Sequence, residues 1–189
     1  MITIIYAHPY EQSFNHAILE RVQALLAARD QTHHLIDLYA DGFNPVYTRE
    51  ELALFSQGKA LDPLVQQYQA VLKESSRLIF IFPIWWADMP AIVKGFLDKV
   101  LLKSYAYVEN RVGMLQGRLD IAEALVISSS TAPTFYLKYV CGNVVGRAML
   151  GHTLKGGGAR QRRWVNCGRV NLVTNEKRQA FLEGLSRYI

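Results

Sequence analysis

Cysteine is scarce in this 189-residue chain, with only Cys141 and Cys167. Two cysteines cannot build a disulfide scaffold, and their spacing suits no metal site, so the sequence predicts a protein of the reducing cytoplasm. Proline is sparse as well, at six residues. No Pro/Gly/Ser-rich stretch marks a linker, and residues 1–189 read as one domain large enough to bury a substantial core. Long apolar runs are also missing. The longest, Leu78 to Trp86, is broken at Pro83 and falls far short of the roughly 20 residues a membrane helix needs. The N-terminus has no basic leader and no small-residue cleavage site, which predicts no signal peptide. Acidic side chains are outnumbered, 16 against 21 basic, for a net charge of +5. That mild excess suits an anionic ligand, but no nucleic-acid module accompanies it, and nucleic acid is not an expected partner. With half of the residues hydrophobic and 20% charged, disorder and low complexity are excluded.

What is present alternates between strand-like and helix-like periods. Short apolar runs at Ile2–Ala7, Thr32–Leu38, Arg77–Phe82 and Ile121–Ser128 predict strands, with Arg163–Asn171 as a fifth. Between them lie amphipathic helices at Ser13–Ala28, Asp62–Ser75 and from Pro90 onward, with Thr174–Tyr188 closing the chain. Thr48 and Glu51 have the spacing of a capping box for a further short helix. Strands alternating with helices imply parallel strands and right-handed crossovers, and fully apolar strands imply helices on both faces. The expected fold is α/β, a flavodoxin-like doubly wound five-stranded parallel sheet. Its ligand should lie beyond the carboxyl ends of the strands, where the strand order reverses.

Unusual residues cluster at those ends. His8-Pro9-Tyr10-Glu11-Gln12-Ser13-Phe14-Asn15 follows the first strand, with Ser13 placed as a helix N-cap and His8 and Asn15 as donors. Such a helix start offers free N–H groups to one phosphate. It is neither a dinucleotide fingerprint nor a P-loop. After the third strand comes Pro83-Ile84-Trp85-Trp86, a stiff aromatic loop on which a flat ring could stack, with one indole expected in the core and the other at the site. After the fourth comes Ser128-Ser129-Ser130-Thr131-Ala132, small hydroxyl residues that permit close approach. His33 and His34, on opposite faces of a strand, are poor metal ligands. Asp37 and Asp41 read as loop solvation.

The motifs His-Pro-x-x-x-Ser-Phe-Asn, Phe-Pro-x-x-Trp, Pro-Ala-x-x-Lys-Gly and Tyr-Ala-Tyr (Tyr105–Tyr107) together resemble the DT-diaphorase-type NAD(P)H:quinone oxidoreductases. The resemblance runs through residues 1–110 and resumes over Thr131–Asn143. The group includes small bacterial quinone reductases and ancillary subunits of potassium efflux systems. The resemblance implies a flavin, FMN with FAD as the alternative, and NADH or NADPH as co-substrate. By it, His8, Ser13, Phe14 and Asn15 hold the flavin phosphate side, Pro83, Ile84, Trp85 and Trp86 lie along the ring, and Thr131 and Ala132 sit at its other edge. Tyr107 lines the nicotinamide and quinone pocket across a homodimer interface, and Tyr136 stabilises the reduced ring. In the family a histidine six residues later assists that tyrosine; here the position is Gly142, so the relay is absent.

The expected activity is two-electron reduction of quinone-type acceptors by hydride transfer through the bound flavin, in ping-pong order. Two other classes stay open: an electron-transfer flavodoxin, and an ancillary subunit docked on a potassium efflux transporter. The basic stretch Lys155–Arg169 departs from the family pattern and reads as a solvated loop. A site for the 2′-phosphate of NADPH or an acidic partner surface is its sharper alternative.

Overall fold

The computed structural model describes residues 1–189. The chain begins with β1 (Ile2–Tyr6), whose five residues are all buried, as a strand covered on both faces requires. Then follow α1 (Phe14–Ala27), β2 (His33–Asp37), α2 (Arg49–Ala53), α3 (Pro63–Glu74), β3 (Arg77–Pro83) and α4 (Ala91–Val100). The second half adds β4 (Tyr107–Glu109), β5 (Leu115–Gly117), β6 (Glu123–Ser130) and α5 (Thr134–Tyr139). A π-helical segment (Val145–Leu154), α6 (Lys155–Gly157), β7 (Gln161–Gly168) and α7 (Asn175–Gly184) complete it. No helix is long and apolar enough to cross a membrane.

Five strands pair in parallel in the order β2-β1-β3-β6-β7, and β4 and β5 form a separate antiparallel ribbon. The order reverses between β1 and β3, which opens a crevice at their carboxyl ends. Alternation sorts the strand side chains into two layers. Ile4, Tyr6, Ile79, Ile81, Leu125 and Ile127 meet α1 and the C-terminal Leu185 on one face. Ile5, Phe80, Phe82 and Val126 meet α3, α4 and the π-helical segment on the other, larger face. The expected doubly wound sheet is therefore what the chain forms.

Local signals explain most boundaries. Ser13 caps α1 by accepting from the His16 N–H, Asp62 caps α3, and Thr48 and Glu51 form the full capping box of α2. Pro90 is the N-cap of α4 rather than its first helical residue. Gly95, an unexpected residue inside a helix, is explained by proximity: a Cβ there would stand 2.2 Å from the Pro45 side chain. The segment carrying Pro45 is held by Lys99, which is one turn along the same helix and 3% exposed. Its ammonium is 2.9 Å from Glu51 and donates to the Asn44 and Val46 carbonyls at 3.1 and 3.3 Å.

Two segments differ from expectation. The basic stretch from Lys155 is not a solvated loop: the fifth strand expected from Arg163 starts already at Gln161, and this β7 is an edge strand paired along its length with β6. Its charges disperse accordingly. Arg160 pairs with Asp120, Arg163 lies over the Tyr188 ring, and Arg162 is tied to backbone carbonyls. No continuous phosphate-sized patch results. The other difference is the π-helical segment, which the sequence reading did not anticipate. Gly146 and Gly151 stand five residues apart in it, and a Cβ on Gly151 would meet the Gly146 carbonyl oxygen at 3.0 Å. A wider winding brings such positions into register.

Candidate functional site

The loop after β1 ends at Ser13, and the Phe14 and Asn15 N–H groups of α1 have no backbone acceptor. Asn15, 3% exposed, donates through Nδ2 to Ser129 Oγ at 2.9 Å. Its Oδ1 is buried without a partner. Such an orphan acceptor is costly unless a ligand or water donates to it. Phe14 turns the other way, against Phe181 of α7, with ring centroids 5.9 Å apart. His8 Nδ1 lies 3.1 Å from the Tyr10 N–H and 3.2 Å from the Tyr10 carbonyl. Burial holds the His8 pKa below its ordinary value and His16 adds to this, against the Tyr10 hydrogen bond. Nδ1 is engaged by the Tyr10 backbone, and Nε2 is the ring nitrogen left for a ligand.

The loop after β3 is built on a tight reversal. Trp85 and Asp88 exchange backbone hydrogen bonds at 2.9 and 3.0 Å around Trp86 and Ala87, both at positive φ (50° and 64°). Positive φ at both central residues is the type I′ pattern, which normally takes Asn-Gly, so a Trp-Ala pair here stores strain. The division of the indoles into one core and one site residue does not hold. Trp85 is 45% exposed and Trp86 is fully exposed, because the reversal lifts both off the sheet end. Trp85 still meets His8 edge-on, with ring centroids 6.4 Å apart. The Ile84 N–H donates to the Ser129 carbonyl at 2.7 Å.

Ser128, Ser129 and Ser130 are not loop residues: β6 continues to Ser130 and all three are buried. Ser129 faces α1 and Asn15. Ser128 and Ser130 face Trp164 and Asn166 of β7, which bond them at 2.8 Å. Asn166 also donates to Thr134 Oγ1 at 2.9 Å and so fixes the start of α5. Sequence reasoning placed Trp164 and Asn166 on the fifth strand but gave them no part in the site, because no motif marks a side chain that acts through a neighbouring strand. Thr131 and Ala132 form the open turn between β6 and α5, and Ala132 receives the Ser130 hydroxyl. Ser129 therefore ties together the three segments that carry His8–Asn15, Pro83–Trp86 and Thr131–Ala132.

The two tyrosines are separate. Tyr136 is exposed on α5, beside Phe135 and Tyr139, which are exposed as well. Tyr107 lies past the far end of α4, half-buried on β4, in a cavity of about 170 Å³ with Phe55, Leu101, Leu115 and His152. Burial raises its pKa, Glu109 adds to this, and Lys103 opposes it. Within one chain, Tyr107 does not join the Ser129-centred cluster. Asp37 and Asp41 are more than solvated loop residues: Asp37 Oδ1 accepts from the Tyr39 and Ala40 N–H groups, and Asp41 accepts from the Tyr68 hydroxyl. No group of three or more His, Cys, Asp or Glu side chains could hold a metal, and both cysteines are free.

Comparison with known proteins gives a consistent family. A family model described as flavodoxin-like fold matches residues 1–160. An NAD(P)H oxidoreductase of Haemophilus influenzae is 27% identical over 184 residues, 95% of this chain and 89% of that protein. A crystal structure of a Streptococcus mutans protein superposes with a TM-score of 0.85 at 30% identity, covering 99% of this chain and 97% of the other. The NAD(P)H:quinone oxidoreductase of Methanothermobacter marburgensis superposes at 0.86 with 27% identity, covering 98% of this chain and 93% of that one. The crevice between β1 and β3, the strand order that makes it and the agreement over most of the chain lead to one conclusion: the chain belongs to the flavodoxin-like fold family and has NAD(P)H:quinone oxidoreductases among its relatives.

Proposed function

We propose that this protein is a flavin-dependent NAD(P)H dehydrogenase (quinone), one domain over residues 1–189, working as a homodimer in the cytoplasm. The observation that carries the reading is the Ser129-centred meeting of three loops, with an orphaned Asn15 Oδ1 and open α1 N–H groups beside it. Those features fit a flavin. The N–H groups and the His8 Nε2 edge suit its phosphate, the unpartnered Oδ1 suits a ribityl hydroxyl, and the half-exposed face of Trp85 suits the ring. Flavin, when bound, supplies the hydride chemistry in two half-reactions, with NAD(P)H leaving before the acceptor enters. The chain's own residues bind and orient. Ser13 and the helix start would hold the anionic end, Pro83–Trp86 would lie along the ring, and Thr131 and Ala132 would border its other edge. The Phe14 side chain braces α1 against α7, while its backbone N–H belongs to the phosphate cradle.

The homodimer is supported by two features. Tyr107 is remote from the cluster of its own chain, so a second copy must bring it to the pocket. Trp85, Trp86, Phe135, Tyr136 and Tyr139 expose an aromatic rim larger than a monomer needs. Tyr136, exposed on α5, would donate to the reduced ring without the histidine that Gly142 replaces. The test is the visible spectrum of the purified protein, followed by release and identification of the chromophore. About one flavin per chain supports the reading, with FMN as the expected form and FAD as the alternative. A colourless protein that takes up neither flavin overturns it.

A further inference from the structure

We propose that a second pocket at the carboxyl edge, between the ends of β1 and β2, is a ribonucleoside subsite that takes the adenosine end of a dinucleotide. The pocket has a volume of about 390 Å³ and is lined mainly by Tyr6, His8, Glu11, His16, Asp37 and Tyr39. It lies on the other side of the β1 loop from Trp85 and shares His8 with the phosphate cradle. Its size falls within the range of small-ligand sites.

The strongest sign of a ligand is Tyr6. The residue is 2% exposed, and its buried hydroxyl has the Ser13 hydroxyl nearby but no partner at hydrogen-bonding distance. Burial raises its pKa, the Ser13 hydroxyl opposes this, and Asp37 and Glu11 raise it again, so the phenol stays a neutral donor and acceptor at pH 7. The His16 ring holds it from the side at 6.1 Å between centroids. Tyr6 and Asp37 are register partners in neighbouring parallel strands and therefore point to the same face. Asp37 Oδ1 already accepts from the Tyr39 and Ala40 N–H groups at 3.2 and 3.1 Å, which leaves Oδ2 to face a ligand. A carboxylate at the end of the second strand, beside the loop of the first, receives the ribose diol in doubly wound nucleotide folds. Tyr39 supplies an aromatic face for the base.

The charges narrow the ligand further. No lysine or arginine lines the pocket, and Glu11 and Asp37 repel a phosphate there. The imidazoles and carboxylates do not gather closely enough to hold a metal. A neutral, planar, hydroxyl-bearing group fits both limits. Adenosine could come from FAD or from NADH, whereas the 2′-phosphate of NADPH would meet two carboxylates. The link to a dinucleotide rests on the proposed function, but nucleoside binding can be read without it.

The experiment titrates the purified protein, loaded with FMN, with adenosine and with 2′-deoxyadenosine by calorimetry. Adenosine is expected to bind, with 2′-deoxyadenosine about tenfold weaker. Asp37→Asn, which keeps the Oδ1 acceptor, and Tyr6→Phe, which removes only the orphan hydroxyl, should each weaken adenosine at least threefold. Two arms separate the sources. If FAD supplies the nucleoside, Asp37→Asn lowers FAD affinity and leaves FMN affinity unchanged; if NADH does, Glu11→Gln and Asp37→Asn lower the NADH-over-NADPH preference. Absence of adenosine binding at millimolar concentration, equal binding of the deoxy compound, or unchanged affinity in both Asp37→Asn and Tyr6→Phe overturns the proposal. A protein that binds no flavin but still binds adenosine would sink the flavin reading and leave the subsite standing.

Discussion

At the scale of single residues, exposure and polarity separate side chains that motifs treat alike. Asn15 and Trp86 both belong to the family resemblance, yet one is sealed under α1 and the other stands fully in solvent. Asn15→Ala should therefore do two things. Flavin affinity should fall about tenfold to a hundredfold with the loss of a polar contact. The flavin-free protein should also melt earlier, since the Ser129 hydroxyl loses its donor; thermal melts with and without flavin measure both. Trp86→Ala should leave stability within about 0.5 kcal/mol, because its side chain buries nothing within the chain. Its turnover with quinone at saturating flavin should nevertheless fall, and normal turnover would remove Trp86 from the site. The sequence carried the identity of these residues but not their depth. Adjacent residues on an extended segment alternate, and only the two positive φ values at Trp86 and Ala87 break that alternation. Nothing in an Asp-Met-Pro flank announces a reversal that usually takes Asn-Gly.

Among elements, the segment between β2 and α3 is held by charge. Lys99 and Glu51 form a nearly buried pair, with Asp62 at 3.9 Å and the Tyr47 hydroxyl donating to the Asp98 carbonyl nearby. Lys99→Met leaves Glu51 without its cation and should cost about 3–5 kcal/mol in denaturant unfolding. The double variant Lys99→Met/Glu51→Gln should recover part of that. Burial pushes the Glu51 carboxyl up, but the Thr48 N–H and Lys99 outweigh it and hold its pKa below the ordinary 4.5. A depressed carboxyl contributes stability that is present above its unfolded value and lost as pH falls through the folded one. Wild type should thus lose stability below about pH 4.5, and Glu51→Gln should flatten that limb of the melting-temperature profile. The capping box behind this was legible as Thr48-x-x-Glu51, because cap chemistry is local. β7 was legible as a fifth strand over Arg163–Asn171 but not at its true start, Gln161, and the π-helical segment was not legible. An edge strand half open to solvent keeps its arginines, so its basic first residues resemble a loop, and a wide helical turn has no signature except the five-residue spacing of Gly146 and Gly151.

For the molecule as a whole, the sheet order followed from the alternation of apolar runs and amphipathic helices, since parallel strands leave few topologies. Which distant residues would share a pocket did not follow from the alternation; the separation of Tyr107 from the Ser129-centred cluster was expected only through the family resemblance, which puts that tyrosine across a dimer interface. A dimer is the expected remedy, and light scattering at micromolar concentration should give twice the chain mass; a monomer would leave the aromatic rim unexplained. The strand order also bears on synthesis. β2 joins one side of β1, β3 the other, and β6 and β7 then add outward in turn, so no strand has to be inserted into a ladder already closed. Each can dock on an existing border as it leaves the ribosome. The weak moment comes while residues 131–160 are being made, when β6 already offers an unpaired border of apolar backbone and β7 has yet to cover it. Nascent chains stalled in that window should be the ones that chaperones capture, and the arginines of β7 arrive last, closing the border with charge.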